Sequence, residues 1–125
     1  MKKRNLLKNT LIAAAILFSL TGCAQEKVLP AADFPVEITS FVTKYFPDNA
    51  VLQVIEDRDG MIRTYDVLLA EGISLEFNRK REIIDINGNA KLPDGVIPPV
   101  ILQYVTANFP DNVITSWELD DRKQK

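Results

Sequence analysis

The chain has 125 residues, a net charge of −2, one cysteine and no histidine, which is enough for one small domain. The missing histidine removes imidazole bases, Ser-His and Cys-His nucleophile pairs and His-ligated zinc. A single cysteine excludes an internal disulfide and any Cys-x-x-Cys site, and the slight negative charge gives no reason to expect nucleic acid.

Residues 1–22 read as a secretory signal. Lys2, Lys3, Arg4 and Lys8 form a positive start, and Leu11 to Leu20 is an apolar run too short to span a bilayer. The run ends at Leu20-Thr21-Gly22-Cys23, which resembles the lipobox of bacterial lipoproteins. That resemblance implies cleavage before Cys23 and lipidation of its thiol. The expected partner of Cys23 is a bacterial membrane, taken as the outer one, on the extracytoplasmic side. Residues 23–28 are then expected to be a lipid-anchored tether, and residues 29–125 one domain. Removing residues 1–22 takes four cations and no acid, so the mature net charge becomes −6.

The mature chain repeats itself at an offset of 63. Phe46-Pro47-Asp48-Asn49 recurs as Phe109-Pro110-Asp111-Asn112, and Leu29-Pro30 recurs as Leu92-Pro93. Pro35, Ile38, Val42, Thr43 and Asp57 also find identical partners in Pro98, Ile101, Val105, Thr106 and Asp120. The alignment is ungapped from 29 to 58. A repeat of this kind sets the fold reading before other signals do. Unit 1 spans 29–88 and a partial unit 2 spans 92–120.

Each unit opens with a helix. Phe34, Ile38, Phe41, Val42, Tyr45 and Phe46 fall on one helical stripe. Pro35 and Pro98-Pro99 suit a first helical turn. Pro47 and Pro110 end the helices, and the Pro-Asp-Asn that follows is turn chemistry. Strands come next in unit 1. Val51 to Glu56 is one, followed by a turn at Asp57-Arg58-Asp59-Gly60. Arg63 to Leu69 alternates, Glu71-Gly72 turns the chain, and Ile73 to Phe77 alternates again. After a basic turn at Arg79-Lys80-Arg81, Glu82 to Ile86 is a fourth strand. In unit 2, Val113 to Leu119 is the counterpart of the first strand, and nothing through Lys125 corresponds to the Tyr65-to-Phe77 hairpin. The expected fold is α+β: an antiparallel sheet of about five strands with two amphipathic helices packed on one face.

Taken together, Leu-Pro, a helix ending in Tyr-Phe-Pro-Asp and an alternating hairpin of the Tyr-Asp-Val-Leu-Leu…Ile-Ser-Leu-Glu-Phe type resemble the bacterial PepSY-like lipoproteins, also described as β-lactamase-inhibitor-protein-like. The resemblance covers roughly residues 28 to 120. It implies helices against an antiparallel sheet and a role in binding or restraining exported proteins. It carries over no catalytic or contact residue.

The search for chemistry returns little. None of Ser40, Ser74 and Ser116 is followed three residues later by lysine, and no Gly-rich phosphate loop occurs. Glu56, Asp57, Asp59, Asp66 and Glu76 could supply a carboxylate pair for acid–base work, but they read as a solvated strand face and turn, since alternation already explains Asp66 and Glu76. Asp57-Arg58-Asp59-Gly60 resembles the opening of a calcium loop, but its twelfth position is Leu68. The expectation is therefore no enzyme, no metal and no cofactor. Arg79, Lys80 and Arg81 are either a solvated hairpin tip or a contact for anionic lipid or an acidic partner. Trp117, aligned with Val54, is either core or an exposed anchor. The function expected is a non-catalytic, lipid-anchored binding module for an exported protein or peptide. The alternative is a structural, self-associating lipoprotein that pairs through an open strand edge as a homo-oligomer.

Overall fold

A computed structural model describes residues 24–120. Among them the elements are β1 (Ala24–Val28), α1 (Val36–Tyr45), β2 (Val51–Asp59), β3 (Ile62–Leu69), β4 (Ser74–Phe77), β5 (Ile83–Asn87), α2 (Pro99–Asn108) and β6 (Ser116–Glu118). The strands form one sheet in the order β1-β2-β3-β4-β5-β6, with every neighbouring pair antiparallel. The fold is the expected α+β.

Period-two alternation decides which side chains enter the core. Val54, Tyr65, Val67, Leu69, Leu75, Phe77, Ile86 and Trp117 are buried on one sheet face. Helix α1 closes over them with Ile38 and Val42, followed by Phe46 just past its end. Phe41 joins this layer to β4 through an edge-on contact with Phe77, ring centroids 5.4 Å apart. Prolines start both helices: Pro35 and Pro98 sit at the N-cap in extended conformations. At the other end, Phe46 N–H donates to Val42 O and Phe109 N–H to Val105 O, both at 2.7 Å. The turns that follow are also alike, with Asn49 N–H to Phe46 O at 3.1 Å and Asn112 N–H to Phe109 O at 3.0 Å. The sequence repeat is thus a structural repeat over the helix and its exit.

Three boundaries differ from expectation. Residues 24–28, read as tether, form β1, because Ala24 to Val28 pair in register with Asp59 to Ile55 of β2. The sheet accordingly has six strands. Asp57 to Asp59, read as a turn, remain in β2 because both β1 and β3 pair with them. The last strand shortens to Ser116–Glu118. Ahead of it Ile114 and Thr115 still accept backbone bonds from Leu92 and Gly88, each at 2.9 Å.

The β3–β4 connection depends on glycine. Gly72 has φ +77°, and a Cβ there would lie 2.7 Å from Asn89 Nδ2. That amide donates to Glu71 O at 2.6 Å, so it is not free to move. Gly60 also has positive φ but open space around it. Gly72→Ala should therefore cost about 1 kcal/mol, and more than Gly60→Ala, in urea unfolding. Equal costs would mean that Asn89 yields freely.

Candidate functional site

The two repeats bury their helices unequally. Phe46 is 6% exposed, whereas its counterpart Phe109 is 51% exposed. Ile38 and Val42 are buried, but Ile101 and Val105 are only partly covered. The same aromatic pair occurs in both units: Phe41 and Phe46 centroids are 6.4 Å apart, Tyr104 and Phe109 centroids 6.3 Å apart. In unit 1 Phe77 of β4 packs edge-on against Phe41 of this pair. In unit 2 β6 is the sheet edge, and nothing among the described residues takes the place of Phe77.

A cleft of about 250 Å³ marks the uncovered region, lined by Leu92, Ile97, Leu102, Val105, Phe109 and Val113 among others. Unit 1 shows what fills the equivalent space. Ala70 N–H donates to Ala50 O at 2.8 Å, and Asn49 Nδ2 donates to Ala70 O at 3.2 Å. The counterparts of Ala50 and Asn49 are Val113 and Asn112, both exposed. Among the described residues the Asn112 carboxamide makes no hydrogen bond. Trp117 Nε1 is also buried without an acceptor there. An orphaned buried donor of this kind costs about 1–3 kcal/mol.

The other sheet face is open and acidic. Cross-strand register places Asp66 opposite Glu76, Glu76 opposite Asp85, and Asp85 opposite Glu118. Four neighbouring strands thus present carboxylates in one lateral row that ends at the β6 edge. Glu26 and Asp57, opposite each other on β1 and β2, extend the acidic face. Ile55 and Leu68 supply apolar surface beside the row. Partial burial, followed by the charges of Asp57, Glu26 and Asp85, raises the Asp66 carboxyl above its ordinary range. Partial burial, then Asp66, Asp85 and other neighbouring acids, does the same for Glu76. Asp85 is raised by burial and then by Glu118. Like charges placed directly opposite destabilise a sheet, so this row is a cost that core packing and hairpin formation do not require.

Comparison with known proteins settles the family. A family described as "putative beta-lactamase-inhibitor-like, PepSY-like" matches residues 19–85 and again 63–125. The chain belongs to the PepSY-like family. Three solved structures resemble this PepSY-like chain. A "putative periplasmic protein" of the DUF2874 family from Bacteroides vulgatus is 30% identical, with a TM-score of 0.72 and 79% of each chain covered. A "putative calcium-regulated periplasmic protein" from Bacteroides thetaiotaomicron is 26% identical, with a TM-score of 0.68, covering 77% of this chain and 76% of that one. A second B. vulgatus protein, "of unknown function", is 30% identical, with a TM-score of 0.69, covering 77% and 79%. No curated protein matches the sequence.

The residues singled out from sequence fall in different places on this PepSY-like domain. Cys23 lies outside the described residues. Trp117 is only 7% exposed and pairs across the sheet with Ile86 in the core, so it offers no exposed anchor. Arg81 is committed: its Nη1 lies 3.3 Å from Glu37 Oε1, and its guanidinium stands over the Tyr65 ring at 5.9 Å. It pins the β4–β5 turn to α1. Arg79 and Lys80 point into solvent from the same turn. The acidic stretch at Asp57 is strand, and no group of three or more metal-ligating side chains comes together among the described residues. Sequence reasoning missed the carboxylate row and the uncovered Asn112. The duplicated Pro-Asp-Asn was the available signal for Asn112, since the same asparagine in unit 1 holds the hairpin.

Proposed function

We propose that this PepSY-like chain is a non-catalytic, extracytoplasmic module, held to a membrane by acylated Cys23, that binds an extended segment of an exported protein. The binding site is the cleft between α2 and the chain at 109–114, which leads into the edge strand β6. One observation carries the reading: unit 1 buries Phe46 and ties Asn49 to the β3–β4 connection, while unit 2 leaves Phe109 and Asn112 uncovered. The occupant is a strand or hairpin of a partner chain with alternating character. Its inward side chains are apolar or aromatic, to meet Leu102, Val105 and Phe109 in the cleft. Its outward side chains are basic, because the carboxylate row ends at Glu118 beside the new strand. Main-chain pairing at a sheet edge supplies the rest, as in other strand-addition complexes. The periplasmic descriptions of the similar structures support an exported location.

Titration of the full chain in mild detergent tests this reading. The probe is a peptide copying residues 62–77 with Asp66→Lys and Glu76→Lys, which keeps the apolar face of the native hairpin and makes its outer face basic. It should bind in the micromolar range, and the unaltered acidic peptide at least about tenfold more weakly. Phe109→Glu, at a half-exposed position, should weaken binding by about tenfold or more without unfolding the protein. The reading fails if the basic peptide does not bind at millimolar concentration or binds Phe109→Glu equally well. It also fails if a second copy of the chain occupies the cleft, seen as self-association that Phe109→Glu abolishes.

A further inference from the structure

Several features converge at one end of the sheet. Ala24, the residue after Cys23, pairs with Asp59 at the end of β2. The β2–β3 turn at Gly60 and Met61 and the β4–β5 turn at 78–82 lie at that same end, side by side. Together they line a cleft of about 390 Å³ that includes Met61, Ile62, Arg63, Asn78, Arg79 and Lys80. Met61 is 87% exposed and Ile62 63% exposed. Met61 at the hairpin tip serves no part of the core, and Ile62, on the open face by alternation with Thr64 and Asp66, stands at the tip end of that face.

The basic turn beside them is built to hold its shape. Asn78 Oδ1 accepts from Lys80 N–H at 2.9 Å and from Glu82 N–H at 3.0 Å, and Arg81 N–H donates to Asn78 O at 2.8 Å. Arg81 is tied to Glu37, and Arg63 lies 3.4 Å from Glu56. Arg79 and Lys80 form no ion pair among the described residues.

We infer that this end of the domain docks on the membrane surface, with Met61 and Ile62 entering the headgroup–acyl boundary and Arg79 and Lys80 meeting lipid phosphates. The inference rests on the acylated Cys23 proposed above. With the chain entering β1 at this end, the anchor would bring the tip to the bilayer. Asp59 and Glu82 at the same end oppose attraction to anionic lipid, so apolar insertion rather than net charge makes the contact. Docking in this sense turns the opposite end, with Asn112 and Val113, away from the membrane and toward soluble partners.

The test is site-directed spin labelling of the acylated full chain in vesicles of phosphatidylethanolamine and phosphatidylglycerol. Labels are introduced by Met61→Cys and, as a reference at the far end, Asp48→Cys. The label at position 61 should be several-fold less accessible than that at 48 to a water-soluble nickel chelate, and more accessible to oxygen. Equal chelate accessibility at both positions in vesicle-bound protein overturns the docking while leaving the anchor in place. A chain that does not sediment with the vesicles removes the anchor, and the docking with it.

Discussion

Replacing Phe77 with alanine should cost the domain about 3–5 kcal/mol, a large part of the stability of a domain this size, whereas Phe109→Ala should cost under about 1 kcal/mol. Phe77 is 1% exposed and meets Phe41 edge-on, so truncation opens a cavity in the layer between α1 and the sheet. Phe109 is half exposed and touches Tyr104 at the rim of a cleft that is already open. Its loss leaves no closed void. Urea unfolding followed by far-ultraviolet circular dichroism measures both variants. Phe46→Ala serves as the matched comparison, being the buried repeat partner of Phe109, and should cost several-fold more than Phe109→Ala. Equal costs for Phe46→Ala and Phe109→Ala would show that unit 2 is covered in solution, and the cleft would lose its meaning as a binding site.

Much of this arrangement was legible in the residues because the repeat is written in packing and turn positions. Pro35 and Pro98 start helices, Phe46 and Phe109 end them, and Asn49 and Asn112 sit in equivalent turns. The alternation of Tyr65, Val67 and Leu69 gave the inner face of β3, and the alignment of Trp117 with Val54 matches its buried place. Strand β1 was hidden because Ala-Gln-Glu-Lys-Val has no apolar alternation; its partner on β2, not its own pattern, makes it a strand. The carboxylate row was hidden for a related reason. That Asp66 and Glu76 face outward follows from local alternation. That Asp85 and Glu118 join them depends on register, which long-range pairing fixes.

The two proposed contacts use opposite ends of the same sheet. β2 runs from the exit of α1 at Val51 to the tip at Asp59, and antiparallel pairing carries that polarity across to β5 and β6. A side chain near Asn112 and one near Met61 are therefore separated by the full strand length. A lipid contact at Met61 leaves the α2 cleft unobstructed, so the anchor and the peptide site can be occupied together and tested apart.

Neutralising the centre of the acidic row should stabilise the domain. The double variant Asp66→Asn, Glu76→Gln removes the like-charge pair between β3 and β4 and the one between β4 and β5, and at pH 7 should gain about 1–2 kcal/mol at low salt. The sign follows from linkage. Partial burial and neighbouring acids raise Asp66, Glu76 and Asp85, so the folded chain holds these protons more tightly than the unfolded chain does. Their contribution to stability is therefore greatest in acid. It is lost as pH climbs from the ordinary carboxylate range through the raised values. Wild-type protein should lose stability over that window, and the double variant should lose distinctly less, so the two curves converge toward acid and separate toward neutrality. Added salt should narrow the gap at pH 7, because these side chains are only partly buried and their repulsion is screened. Urea midpoints measured between about pH 4 and pH 8 decide it. A double variant that is no more stable than wild type at pH 7 would mean that a counter-charge already compensates the row, and the basic partner strand inferred from it would lose its electrostatic basis.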